Sequence, residues 1–95
     1  MPPFRVVTTS YFDRLARQLT RRHPEFAAQN RVALAILCED PLNHTQRHPV
    51  KKLQGVGPGE GQYRLRLRRF RFRYDVYRDE VVLRYCGLRR EDTYR

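Results

Sequence analysis

Between Tyr63 and Val76 the chain alternates apolar and polar residues with a period of two. Tyr63, Leu65 and Leu67 are separated by Arg64 and Arg66, and Phe70, Phe72, Tyr74 and Val76 are separated by Arg71, Arg73 and Asp75. Such alternation predicts strands with one buried and one solvated face. The phase slips between Arg68 and Arg69, so a two-residue turn there pairs Leu67 with Phe70, Arg66 with Arg71, Leu65 with Phe72 and Arg64 with Arg73. A second turn at Arg78-Asp79 pairs Val76 with Val81, Tyr74 with Leu83, Phe72 with Tyr85 and Arg73 with Arg84, which makes Val81 to Cys86 a third strand. In this register the apolar face runs from Tyr63 to Tyr85, and Arg64, Arg66, Arg71, Arg73 and Arg84 share the opposite face.

The N-terminal half has a different period. Phe4 to Thr9 carries Val6, Val7 and two Thr and predicts a short strand, with Ser10 as the N-cap of a helix. From Tyr11 to Arg22, Phe12, Leu15, Ala16 and Leu19 recur at helical spacing, and Arg14, Arg17, Arg21 and Arg22 lie outside that stripe. His23-Pro24-Glu25 starts a second helix that runs through Phe26, Ala33, Leu34, Leu37 and Cys38 to the breaker Asp40-Pro41. Pro41 to Pro49 and the glycine-rich Gly55 to Gly61 read as loops on either side of Val50-Lys51-Lys52-Leu53. The expected fold class is therefore α+β: an N-terminal strand, a helical hairpin, then a three-stranded antiparallel meander with the helices packed on one sheet face. At 95 residues the chain suits a single domain, 1–95.

Charge narrows the function. Twenty Lys and Arg against ten Asp and Glu give +10, a field suited to polyanions and of little use to ordinary metabolites. Eighteen of the twenty basic residues are Arg, which grips phosphate with a planar, multidentate fork. Five arginines on one sheet face, with Asp75 the acidic neighbour, repel one another, so folding alone would not select the arrangement and an anionic ligand is expected there. No apolar run is long enough to span a membrane and no signal-peptide pattern opens the chain, so a cytoplasmic protein is expected. Cys38 and Cys86 read as reduced thiols in the core. Cys38, His44 and His48 fall short of a four-ligand zinc set, and the glycine-rich stretch neither follows a strand nor opens a helix, so neither a metal nor a phosphate-cradling loop is expected.

A basic face of this kind suits RNA chemistry. RNA brings its own nucleophile in the 2′-OH, and a protein has to align it, take its proton, stabilise the phosphorane charge and protonate the leaving oxygen. Arg can supply the charge stabilisation and a Tyr surrounded by Arg the proton transfer, so the chemistry needs neither metal nor cofactor. Tyr77 and Tyr94 are candidates for stacking on unpaired bases.

The segments Lys51-Lys52-Leu53-Gln54-Gly55, Tyr63-Arg64-Leu65-Arg66-Leu67, Phe70-Arg71-Phe72-Arg73-Tyr74 and Leu88-Arg89-Arg90-Glu91-Asp92-Thr93-Tyr94-Arg95, in this order, resemble the RelE/ParE superfamily of bacterial toxins. The resemblance implies that Arg64 and Arg66 stand where RelE-like members carry two lysines. Arg71 matches the family's strand arginine, Arg89 or Arg90 its C-terminal arginine, and Tyr94 its tyrosine. It implies a metal-independent endoribonuclease that cleaves mRNA at the ribosome. Lys51, Lys52, Arg73 and Arg84 are expected as further RNA contacts, and a basic face that needs neutralising, together with a toxin its cell must survive, points to an acidic antitoxin segment wrapping that surface. Arg in place of both lysines removes an easily deprotonated amine. The alternatives within and beside the superfamily are a ParE-like inhibitor of DNA gyrase and a non-catalytic RNA-binding relic.

Overall fold

The computed structural model describes residues 4–89. Strand β1 (Arg5–Thr8) runs into helix α1 (Ser10–Arg22) through Thr9, whose hydroxyl accepts the Phe12 N–H at 3.0 Å. Thr9 is thus the N-cap, one residue ahead of the expected Ser10, and satisfies a backbone donor that the first helical turn leaves open. Helix α1 buries Phe12 and Leu19. Helix α2 (Phe26–Glu39) follows His23-Pro24-Glu25, buries Phe26, Ala33 and Leu37, and stops ahead of Pro41.

Strands β2 (Val50–Lys52), β3 (Tyr63–Leu67), β4 (Phe70–Tyr77) and β5 (Glu80–Leu88) join β1 in one five-stranded sheet of order β1-β5-β4-β3-β2. The three-stranded meander is present as β3, β4 and β5, and the sheet extends it on both sides. β1 pairs in parallel with β5, and β2, a segment placed between two loops in the sequence reading, pairs antiparallel with β3. Leu65, Phe70, Phe72, Tyr74, Val81, Leu83 and Cys86 form the helix-facing floor, and Phe26 meets Phe70 edge-on at 5.1 Å and stacks on Phe72 at 5.7 Å. These ring geometries contribute beyond the apolar area that they bury. Burial pushes the Cys86 thiol up to about 12, so it stays a protonated core group.

The β3/β4 register is the one expected, from Tyr63↔Tyr74 to Leu67↔Phe70. The β4/β5 register agrees at Val76↔Val81 and Tyr74↔Leu83 and then shifts at a bulge beside Arg73/Tyr74. Beyond the bulge Phe72 faces Cys86, where Tyr85 was expected, and Arg73 faces Tyr85, where Arg84 was expected. The physical reason is the extra residue that a bulge inserts in one strand, which reverses the faces of all that follows. Tyr85 accordingly leaves the core floor for the opposite face, and buried Cys86 takes its place.

Both hairpins turn on arginine. Arg68 and Arg78, each the first of two central turn residues, adopt φ of 56° and 53°, a left-handed conformation in which hairpins usually carry glycine. The first turn is held from outside: the Arg69 guanidinium hydrogen-bonds Glu25 and, at 2.8 Å, His23 Nδ1, tying the turn to the start of α2. Replacing exposed Arg68 by Gly is therefore expected to stabilise the fold by about 0.5–1 kcal/mol, after the extra chain entropy of Gly is set against relief of the strained φ. At about 4–8 °C per kcal/mol, a thermal melt resolves that gain, and an unchanged or lower Tm would show that the turn is not strained.

Candidate nucleic-acid interface

The sheet face turned away from the helices gathers most of the predicted site residues through register alone. Lys51 pairs with Arg64, Arg64 with Arg73, and Arg73 with Tyr85, making one row across β2, β3, β4 and β5. Arg66, Arg71 and Gly87 make the adjacent row. Between the rows and the glycine-rich loop lies an open cleft of about 420 Å³ lined by Lys51, Leu53, Gln54, Val56, Arg64, Arg71 and Arg73. Four cations around a cleft of this size form a site for a phosphate-bearing ligand, with the apolar and amide groups of the loop on one wall.

The loop is fastened to the sheet by one acid. Asp75 is fully buried, accepts the Gly61 N–H at 3.0 Å and the Gln62 N–H at 2.9 Å, and pairs with Arg84 Nε at 2.8 Å. Burial on its own would raise this carboxyl's pKa. The hydrogen bonds from Arg84, Gln62 and Gly61 outweigh burial and hold it below the ordinary carboxylate value. Arg73 completes the clamp by donating to the Gly61 and Glu60 carbonyls at 3.0 to 3.1 Å. Gly61 has φ of 81°, and a Cβ there would stand 3.0 Å from Arg73 Cβ, so this close approach requires glycine.

The basic face is therefore divided. Arg84 is committed to Asp75 and to the Tyr77 hydroxyl at 3.0 Å, and Arg73 lines the cleft while its guanidinium serves the loop. The expected row of five mutually repelling arginines is replaced by a partly neutralised face. Lys51 and Lys52 also separate: Lys51 lines the cleft, whereas the Lys52 ammonium lies 5.8 Å from the Tyr63 ring centroid, on the other side of the strand. Arg66 is half-buried in the second row, and Arg89 is exposed one residue past β5, with its N–H donating to the Arg69 carbonyl at 2.9 Å. Arg90 and Tyr94 lie outside the described residues.

Sequence reasoning did not find Tyr85 or the roles of Asp75 and Gly87. The Tyr85 phenol lies across Gly87, where a Cβ would come within 2.4 Å of its oxygen, so the glycine makes room for the ring beside Arg71. A glycine two residues after an aromatic in a strand was the available signal. In the loop before β2, Asp40 accepts from the His44 and Thr45 N–H groups and from the Thr45 hydroxyl, and His48 Nε2 stands 3.9 Å from Asp40 Oδ2. Among the described residues no three His, Cys, Asp or Glu converge on a common point, and no helix is long and apolar enough to cross a membrane.

No family model and no curated protein matches the sequence. Among solved structures, a chain of the archaeal RelE-RelB complex from Pyrococcus horikoshii superposes with a TM-score of 0.62 at 23% identity, covering 92% of this chain and 96% of that one. The two chains share a fold.

The Asp75 clamp has a measurable consequence. Because its folded pKa is depressed, its contribution is complete above the unfolded carboxyl's pKa of about 3.9 and is lost as pH falls through the folded value. Asp75→Asn is expected to cost about 2–4 kcal/mol at pH 7, since it removes the buried charge that the partly buried Arg84 and the loop N–H donors face. Denaturant melts should show the gap between wild type and variant narrowing as pH falls below the unfolded carboxyl's pKa of about 3.9. A gap that does not change with pH would mean that the carboxylate charge is not what holds the loop.

Proposed function

We propose that the protein is the toxin of a type II toxin-antitoxin system and acts as a metal-independent endoribonuclease on mRNA at the ribosome. The observation that carries this reading is the meeting of Arg64 and Arg71 with Lys51 in one cleft, with Arg66 in the adjoining row. The shared fold with a chain of a RelE-RelB complex supports it. In this reading Arg64, Arg66 and Arg71 hold and polarise the scissile phosphate, while Lys51 adds a fourth cation at the rim. Arg89 or Arg90 stabilises the charge that develops as the 2′-oxygen attacks, and Tyr94 moves a proton or stacks on a neighbouring base. The cleft is open and lined by cations on its sheet side, which suits an extended single strand whose phosphates reach the arginines. The positive field that draws RNA also suits capture by an acidic antitoxin segment.

Expression in a bacterium, followed within minutes by mapping of transcript 5′ ends, tests the reading. Wild type should arrest growth and produce new ends in phase with codons, and Arg71→Ala should lower cleavage by about a hundredfold or more, as loss of one oxyanion-type donor does. Arrest with intact mRNA overturns the nuclease. Purified protein that traps cleaved, gyrase-bound DNA in a supercoiling assay would establish the gyrase alternative in its place.

A further inference from the structure

A second cationic surface lies on the far side of the molecule from the cleft. The core-facing stripe of α1 is Phe12, Leu15, Ala16 and Leu19, and directly opposite it Arg14, Arg17 and Arg21 project outward. At 3.6 residues per turn the three fall within roughly 60° of arc and along about 10 Å of axis. All three are exposed, and no described carboxylate forms an ion pair with any of them. Four of the described acids are engaged elsewhere: Glu80 with Arg5, Glu25 with Arg69, Asp75 with Arg84, and Asp40 within its own loop. Asp13 is the single acid in the first turn of α1 and bonds to none of them.

Helix formation accounts for Arg21, a cation in the last turn of α1, but not for the stripe as a whole. Arg14 and Arg17, three apart, and Arg17 and Arg21, four apart, are like-charge neighbours that weaken a helix, and Arg14 lies in the half of the helix whose dipole disfavours a cation. Arg14 also lies against an aromatic ring, its guanidinium 5.4 Å from the ring centroid of Tyr11, itself 50% exposed. Ser10 lies on the same outward arc and Gln18 borders it, both exposed and able to reach hydroxyls as well as phosphates.

We infer that the outward face of α1, through Arg14, Arg17 and Arg21, is a docking surface for the phosphate backbone of double-stranded RNA. A row of guanidinium groups edged by small hydroxyl and amide donors fits the shallow minor groove of an A-form duplex, which is recognised by phosphate and 2′-OH contacts rather than by base sequence. The phosphate-docking role stands without the cleavage reading. The choice of RNA over DNA rests on it, because a cleft that takes one RNA strand on one side places duplex RNA within reach of the other.

The test is equilibrium binding of a blunt RNA duplex, with no single-stranded segment, to three proteins across a salt series: wild type, Arg14→Gln/Arg17→Gln/Arg21→Gln, and Arg64→Ala/Arg71→Ala. The helix triple variant should bind about tenfold or more weakly at low salt, and its slope of log K against log salt should be shallower by about two to three. The cleft variant, which also removes two cations, should weaken duplex binding by less than the helix variant does. Gln keeps good helix propensity, so the triple variant should melt at or above the wild-type temperature, which separates lost binding from lost fold. Duplex affinity unchanged in the helix variant, or lost instead in the cleft variant, overturns the proposal. Equal affinity for a DNA duplex of the same sequence overturns the choice of RNA. Displacement of the duplex by poly-glutamate at matched charge would overturn it in favour of an acidic protein partner. Intact mRNA in the transcript-end experiment, with duplex binding retained, would remove the nuclease and leave the docking surface standing.

Discussion

The buried carboxylate of Asp75 is the contact on which the basic face depends. It is fully enclosed in a chain of high positive charge and is surrounded by donors that need it: two loop N–H groups and the Arg84 guanidinium. Without it those donors would be left in a dry environment, and the segment that supplies Leu53, Gln54 and Val56 to the cleft would lose its anchor. The loop is braced internally as well, by Leu53 N–H to the Gln62 carbonyl at 2.7 Å and Gln62 Nε2 to the Val56 carbonyl at 3.2 Å. A single acid thus fastens the loop wall of the cleft to the sheet and draws Arg84 to itself.

Arginine serves several ends here, so counting it overstates the surface available to a ligand. Arg5, Arg69 and Arg84 pair with carboxylates, Arg73 holds carbonyls, and Arg68 and Arg78 occupy positive-φ turns. The pairs involving Arg5 and Arg69 are exposed, and such bridges contribute little to stability. Arg69 matters chiefly because it fixes the β3-β4 turn against α2, which keeps Arg66 and Arg71 aligned in their row.

Much of this was legible in the residues. The strict alternation and the phase slip at Arg68-Arg69 determined the β3/β4 register, because a one-residue error would have turned Leu65, Phe70 and Phe72 to the outside. The β4/β5 pairing was legible only as far as the bulge. Beyond it, Arg84-Tyr85-Cys86-Gly87 offers two adjacent residues able to occupy the core, and the period of two cannot choose between Tyr85 and Cys86. Packing chooses: the smaller thiol fits opposite Phe72, and the phenol rests over Gly87. β2 was missed because three residues, two of them lysine, carry no pattern, and its strand character comes from its neighbour. Asp75 looked like one more polar position on an outward face, since alternation gives direction but does not show that a loop from 14 residues earlier will close over it.

The parallel pairing of β1 with β5 bears on when the chain can fold as it is synthesised. β5 lies between β1 and β4 and is also the strand against which α1 packs most extensively, yet it follows all of these elements in the chain. Until residues 80–88 have left the ribosome, β1 has no partner and α1 has no floor. The β3-β4 hairpin, closed by a two-residue turn, needs no distant segment and can form early. Both cationic surfaces therefore wait for residues 80–88: the row containing Tyr85 and Gly87 is incomplete before then, and α1 has no fixed orientation. A nascent chain of this protein carries its charge without yet having the shape that directs it.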